Sequence, residues 1–179
     1  TLMSNAVVGV IGLGLMGEGI TARLLQTGHS VLGYDVLPEK VRAAAARGVT
    51  ACASPAEVVR AAGIVLVSVT TTAAVEQVVL ADNGIASAGR LDGKVLVDHS
   101  TTEIETTKRV AAALEAATGM AFVDAPVSGG PAAAAAGALA IMAGGEASAI
   151  ERITPVMQQL GRFTHLGPVG AGQATKLVN

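Results

Sequence analysis

The stretch Val7-Val8-Gly9-Val10-Ile11-Gly12-Leu13-Gly14-Leu15-Met16-Gly17 restricts the possible folds of this chain more than any other. An apolar, β-branched run of strand length breaks into glycines spaced G-x-G-x-x-G, and residues 18–26 continue as a helix. Strand, glycine turn and helix in that order specify a dinucleotide site. Gly12 permits the tight turn off the strand, Gly14 lets a pyrophosphate approach the backbone, and Gly17 lets the helix pack closely on the sheet. The helix N-terminus offers unpaired N–H groups and a partial positive charge to the phosphates. The motif alone also fits a glycine-rich turn in another α/β protein. Here a second apolar strand follows, Val31-Leu32-Gly33-Tyr34-Asp35, ending in an acid placed to take the adenosine ribose hydroxyls.

The remaining chain alternates strand and helix. Pro38 opens a helix over 38–47 that stops before Gly48, and residues 49–51 form a short strand. Ser54-Pro55-Ala56-Glu57 has the form of a capping box, and its helix stops at Gly63. The continuous apolar run 64–69 reads as a strand buried on both faces. Thr70-Thr71-Thr72 leads into a helix through Leu80, and Asp82-Asn83-Gly84 turns into a loop reaching Gly93. A strand over 95–98, a helix over 103–117 and a strand over 120–123 follow. This pattern predicts an α/β fold, a doubly wound, mostly parallel sheet with helices on both faces. Ligands of such sheets sit beyond the carboxyl ends of the strands. The glycine turn, Asp35, Val69-Thr70, Ser100-Thr101 and residues 124–130 therefore converge on one edge. The threonines equally suit helix capping and turn formation, Thr71 and Thr72 above all.

Composition limits the alternatives. At 179 residues the chain suits one sizeable core, and with aromatics at 2% that core must be built from Ala, Val, Leu and Ile. A net charge of −2 leaves no footprint for nucleic acid or an acidic membrane. The single cysteine, Cys52, excludes an internal disulfide and reads as a small buried residue. No secretory signal pattern opens the chain, so the expected location is cytoplasmic. Residues 125–145 carry no charge and are long enough to span a bilayer, but Pro126, Pro131 and repeated glycines argue against a membrane helix. No metal site is expected.

Two further stretches carry chemistry. In Asp124-Ala125-Pro126-Val127-Ser128-Gly129-Gly130, a hydroxyl precedes consecutive glycine N–H groups, a concavity suited to a carboxylate or another oxyanion. A plain loop has similar composition. If a helix begins near Gly170, then Gly172, Lys176 and Asn179 share one face, with the glycine leaving room for a cofactor. Desolvation in a cleft lowers a lysine toward the working pH, where it can exchange a proton with a carbonyl or hydroxyl oxygen. A solvated surface lysine is the alternative.

Together these stretches resemble the β-hydroxyacid dehydrogenase family, which includes 3-hydroxyisobutyrate dehydrogenase and tartronate semialdehyde reductase. The resemblance runs from Val8 to Asn179, with three motifs in the family's order. It implies a Rossmann-type domain over residues 1–167, with residues 168–179 starting an interdomain helix toward an all-helical domain beyond this chain. It further implies that Gly12, Leu13, Gly14, Leu15, Met16, Gly17 and Asp35 bind the dinucleotide, with Val69, Thr70 and Thr101 contacting it further along. Ser128, Gly129 and Gly130 would hold the carboxylate of a small substrate, Lys176 would be the catalytic general acid/base, and Asn179 would orient the substrate. Asp35 with no arginine beside it suggests NAD over NADP. The sequence departs from the family at Ala133 and Ala138, usually glycine and threonine, at Glu105 or a neighbour, usually proline, and at Val69-Thr70, commonly Leu-Pro.

The function so implied is an NAD-dependent oxidoreductase that interconverts a small β-hydroxy acid and its semialdehyde or keto form. A homodimer or homotetramer is expected when the helical domain is present, and the 179 residues alone are expected to bind NAD weakly and turn over little. The rival reading is a noncatalytic dinucleotide-binding or scaffold module, against which Lys176 and Ser128 both count.

Overall fold

The computed structural model describes residues 6–179; residues 1–5, part of the stretch read above for a signal, lie outside the described residues. The chain begins β1 (Val7–Ile11), α1 (Leu15–Gln26), β2 (Ser30–Tyr34), α2 (Pro38–Ala46), β3 (Thr50–Ala51) and α3 (Pro55–Ala61). It continues β4 (Ile64–Val67), α4 (Thr72–Leu80), a 3-10 turn at Ile85–Ser87, β5 (Val95–Asp98), α5 (Ile104–Thr118) and β6 (Ala121–Asp124). The last third is β7 (Val127–Ser128), α6 (Gly130–Ala136), β8 (Leu139–Gly144), α7 (Ala147–Leu160), β9 (Gly161–Gly167) and α8 (Ala171–Val178).

Strands β3, β2, β1, β4, β5 and β6 lie side by side in that order, all parallel. Strand β8 then runs antiparallel to β6 and β7, and β9 pairs parallel with β8. Alternation along each strand feeds two cores, because successive side chains leave a sheet on opposite faces. Val8, Val10, Leu66, Val97 and Val123 pack with α1 and α7 through Ile20, Leu24, Ile153 and Met157. Ile11, Val65, Val67, Leu96 and Phe122 pack on the other face with Val58, Val79, Val110 and Leu114 from α3, α4 and α5. The expected doubly wound, mostly parallel α/β sheet is present, and β1 lies at its switch point between β2 and β4.

Boundaries differ from expectation where hydrogen bonds are diverted. Helix α1 starts at Leu15 rather than residue 18. Strand β4 ends at Val67 because the Val69 N–H turns away to the Ser100 hydroxyl, 3.0 Å. At the capping box the Glu57 N–H reaches Ser54 Oγ as expected, but the Glu57 carboxylate accepts from Ala53 N–H. Residues 125–145 fold into short elements, and among the described residues no helix is long and apolar enough to cross a membrane. Cys52 is buried and free.

One packing relation positions the site. Helix α1 crosses α6 at Gly19, where a Cβ would lie 2.5 Å from the Pro131 carbonyl oxygen. The helix that follows the first glycine turn is thereby seated directly on the helix that follows Ser128-Gly129.

Candidate functional site

The three glycines of the first turn serve different needs. Gly12 has φ +96°, and a Cβ there would sit 2.0 Å from the Ser68 carbonyl oxygen, so the turn closes against the end of β4. At Gly17 a Cβ would sit 1.9 Å from the Gly12 carbonyl oxygen, so this residue lets α1 fold back onto its own turn. Gly14 is unlike either. Its backbone is extended, at φ −71° and ψ −161°, and a Cβ would meet nothing within 4 Å. Neither conformation nor packing asks for glycine at that position. Helix α1 has no side-chain cap; its first intrahelical bond is Glu18 N–H to Gly14 O, which leaves the N–H groups of Leu15, Met16 and Gly17 ahead of the ladder. By contrast Ser54, Thr71 and Glu103 cap α3, α4 and α5 with their own side chains.

A cleft of about 420 Å³ opens here, lined among others by Gly12, Gly14, Asp35, Lys40, Val69 and Thr70. Five residues expected at the nucleotide site therefore share one cavity. Asp35 stands just past β2 with both oxygens held, Oδ2 by Leu13 N–H at 2.7 Å and Oδ1 by Leu37 N–H at 2.9 Å. This fixes the carboxylate and uses up the Leu13 amide, whose side chain is itself buried in the core. Met16 packs partly against the same core, and the Leu15 side chain is exposed. Lys40, unnoticed in the sequence, brings a cation into the cleft with Asp35. A second groove of about 400 Å³ across α5 and β6 holds Lys94, Lys108 and Arg152, all already engaged with protein oxygens.

At the other end, α8 presents Lys176 to the loop after β6. Its Nζ donates to Val127 O and Ser128 Oγ, both at 2.9 Å, so the structure brings together the two residues singled out for substrate chemistry. Gly129 and Gly130 have φ +130° and +79° and begin α6, and Gly129 would set a Cβ 2.8 Å from that of Ala133. Gly172 does not leave room for a cofactor. A Cβ there would lie 2.4 Å from Met142 O and 2.7 Å from Asp124 O, so this glycine seats α8 on the sheet. Asn179 is exposed, with its amide 3.5 Å from the Met142 sulfur; its backbone N–H donates to Lys176 O, and its side chain takes no part in the Lys176 Nζ contacts. Thr101 is exposed on the loop after β5, Thr71 caps α4, and Thr72 Oγ accepts from Glu103 N–H.

Between the two ends lies a buried polar group that sequence patterns did not reveal. Asp124 accepts from Gly170 N–H at 2.7 Å and Gln173 N–H at 2.9 Å, capping α8 from across the sheet. The Gln173 amide accepts from Thr102 N–H and donates to Ser100 O, at 3.0 and 2.8 Å. Asp98, paired in register with Asp124, accepts from Ser100 N–H; its other oxygen and His99 Nε2 are buried with no partner. Burial, with Asp124 adding repulsion, pushes the Asp98 carboxyl up to about 7, and burial raises Asp124 as well. Burial lowers His99 to about 4, leaving a neutral ring whose Nδ1–H donates to Ala125 O. Among the described residues no group of three or more His, Cys, Asp and Glu could hold a metal ion.

Residues 7–169 match the family described as the NAD binding domain of 6-phosphogluconate dehydrogenase. The chain belongs to this family. It is 38% identical over 173 residues to 2-(hydroxymethyl)glutarate dehydrogenase of Eubacterium barkeri, covering 96% of this chain and 57% of that protein. Identity to 3-hydroxyisobutyrate dehydrogenase of Pseudomonas aeruginosa is 37%, with 96% and 57% covered. The solved structure of Mycobacterium tuberculosis 3-hydroxyisobutyrate dehydrogenase with L-serine aligns at TM-score 0.90 and 36% identity, covering 98% of this chain and 59% of that one. The chain thus spans 57% of the length of both curated relatives. The expected kinship with 3-hydroxyisobutyrate dehydrogenase-like enzymes holds, as does the expected NAD-binding fold of that family.

Proposed function

We propose that this chain carries the cofactor half of an NAD-dependent oxidoreductase that interconverts a small β-hydroxy acid and its semialdehyde or keto form. The hydrogen bond from Lys176 Nζ to Ser128 Oγ carries the reading, because it joins a proton-exchanging group to a loop suited to a carboxylate. In this reading residues 1–167 are the NAD-binding domain, and residues 168–179 start the helix leading to an all-helical domain. The assembled protein would be a cytoplasmic homodimer or homotetramer. The names of the relatives support a hydroxy-acid substrate, and the 3-hydroxyisobutyrate dehydrogenase likeness supports a short one.

The residues present fit a dinucleotide. Gly14 leaves open space beside an uncapped helix N-terminus, and the Asp35 carboxylate is fixed at the cleft edge, where it can accept ribose hydroxyls. That carboxylate would repel a 2′-phosphate, which favours NAD over NADP. Leu15, Met16 and Gly17 would offer backbone N–H groups, and Val69, Thr70 and Thr101 would line the way toward the nicotinamide. When bound, the nicotinamide supplies a two-electron hydride acceptor or donor. Ser128, Gly129 and Gly130 would hold the substrate carboxylate, with Asn179 helping to orient it. Lys176 as the neutral amine would take the hydroxyl proton during oxidation, and as the ammonium would return it to the carbonyl oxygen during reduction.

The test is Lys176→Ala in the full-length protein, assayed with a panel of small hydroxy acids by NADH absorbance. Loss of a general acid/base predicts kcat lower by about 10²–10⁴-fold with dinucleotide affinity near that of the parent. A rate equal to the parent's would overturn the assignment of Lys176, and a parent that turns over none of the panel would favour a noncatalytic module.

A further inference from the structure

We propose that Gln173 is a positioning residue: its side-chain amide locks the helix bearing Lys176 to the loop bearing Thr101, setting the approach of the lysine to the reacting end of the cofactor. The inference rests on the acid/base reading of Lys176 above.

Gln173 sits three residues before Lys176 on α8 and is only 2% exposed. Its two side-chain bonds bracket a single residue. Oε1 accepts from the N–H that follows Thr101 in the chain, and Nε2 donates to the carbonyl that precedes it. A helix side chain thus engages the loop as a neighbouring strand would, and holds the Thr101 backbone from both sides. The linkage extends further. The hydroxyl of Ser100 accepts from Val69 N–H, so the loops after β4 and β5 are tied to one another and, through Gln173, to α8. On its other side the Gln173 N–H meets Asp124, the residue that starts the loop ending in Ser128. One side chain therefore stands where the lysine helix, both strand-end loops of the nucleotide site and the start of the substrate loop meet.

The chemistry required is specific. One donor and one acceptor must face a carbonyl and an N–H at fixed spacing, which an amide does and an ionised carboxylate cannot. Methionine has similar volume and can do neither. Glutamate is conditional: ionised, it turns an oxygen toward Ser100 O; protonated, it donates there and still accepts from Thr102 N–H. Position 173 is buried, which disfavours the charged form of a glutamate there and so raises the pH at which it ionises. The titratable groups nearby are Asp124 of β6 and Asp98 at the end of β5, both raised by burial, and His99, a buried, neutral ring, so no cation among them opposes the effect of burial. Lys176, on the same helix, is the nearest cation in sequence and is directed to Val127 and Ser128.

The experiment compares Gln173→Met and Gln173→Glu with the parent in the full-length protein. It measures steady-state rates, dinucleotide Kd, thermal midpoints, and the isotope effect with substrate deuterated at the carbon that loses hydride. Misplacing a reacting group by about 1 Å can cost about 10²-fold. Gln173→Met is therefore expected to lower kcat by about 10–100-fold, leave dinucleotide Kd within about threefold, and bring the isotope effect on kcat to its full size. Gln173→Glu is expected to recover as pH falls, its kcat relative to the parent at the same pH rising steadily from pH 8 to 5.5. A folded Gln173→Met with kcat within twofold of the parent would overturn the proposal. So would a Gln173→Glu ratio that is flat with pH, a comparison that needs no folded Gln173→Met. Lys176→Ala is assayed alongside. If it is as active as the parent, the acid/base reading fails; if it is inactive while Gln173→Met is normal, only the positioning role fails.

Discussion

Alanine at Gly14 and at Gly17 should separate folding from binding within one six-residue motif. At Gly17 the new Cβ would start 1.9 Å from the Gly12 carbonyl oxygen, and its obstacle is backbone, which cannot rotate away. Overpacking of this kind costs about 1–3 kcal/mol, and a shift of more than an ångström in a tight turn belongs at the upper end. For a domain of this size, about 3 kcal/mol lowers the thermal midpoint by roughly 6–12 °C. At Gly14 the backbone suits any residue and the space is empty, so alanine costs about 1 kcal/mol or less, the small loss of a glycine at an N-cap. Binding should reverse the order of interest. A methyl group at Gly14 stands where a pyrophosphate would approach α1, and losing one charged hydrogen bond is worth about 1.5–3 kcal/mol. Dinucleotide Kd should rise about 10–100-fold in Gly14→Ala while the melt stays near the parent's. Calorimetric titration with NAD and a thermal melt on the same samples decide it. Parent-like NAD affinity in Gly14→Ala, or a melt as depressed as that of Gly17→Ala, would refute the assignment of this turn to phosphate.

Two further outcomes follow from groups at the cleft and in the sheet. Asp35→Ser should raise the NADP-to-NAD ratio of kcat/KM by about tenfold or more, about 1.4 kcal/mol, and adding Lys40→Ala should remove most of that gain; no change in the first variant would refute the Asp35 assignment. Asp98 and His99 should tilt stability against pH in opposite directions. The Asp98 carboxyl, held up near 7, binds protons in the folded state that the unfolded chain has released, so its contribution falls as pH rises from about 4 to 7. His99, held down near 4, refuses a proton that the unfolded chain takes up, so its contribution rises with pH from about 4 to 6.5. Urea unfolding at pH 4.5 and 6.5 should therefore show Asp98→Asn tilted toward stability at the higher pH and His99→Gln toward the lower, relative to the parent; unchanged tilt in both would refute the burial argument.

Much of the fold was legible because its signals are local. Continuous apolar runs, buried on both faces, mark strands β1, β4 and β5, and the three-glycine turn carries its own geometry. The segment from Val127 to Gly167 was not read into elements, for a physical reason. Helix α6 is Gly-Pro followed by alanines, which has no apolar stripe to show a helical period, and α7 carries Pro155 inside it. Ser128 and Lys176 were paired in one site only by the family resemblance, and the structure joins them by a hydrogen bond. Gly172 was misread because a glycine near a lysine says nothing about which side of the helix meets backbone; here it is the sheet side. Gln173 left no signal at all. A buried glutamine between alanine and glycine has no periodicity, and its value lies in two backbone partners some seventy residues away.

Two of the helix N-termini near the site, those of α1 and α8, are treated in opposite ways, and this contrast explains the placement of Asp124. An uncapped helix start offers N–H groups to an anion, whereas a start capped by a carboxylate does not. Helix α1 begins at a glycine with no side-chain cap, facing the cleft. Helix α8 begins at Gly170, and the two N–H groups given to Asp124 are its own Gly170 and Gln173. The cap costs the protein a buried carboxylate, raised by its burial, beside a second one, Asp98, which Asp124 raises further. That arrangement would be wasteful if α8 were only packing, since Gly172 already seats it on the sheet. It is intelligible if α8 must present Lys176 at a fixed distance from whatever α1 binds. A closed N-terminus beneath the lysine and an open one beneath the phosphates then divide one sheet edge between holding a group rigid and admitting a ligand.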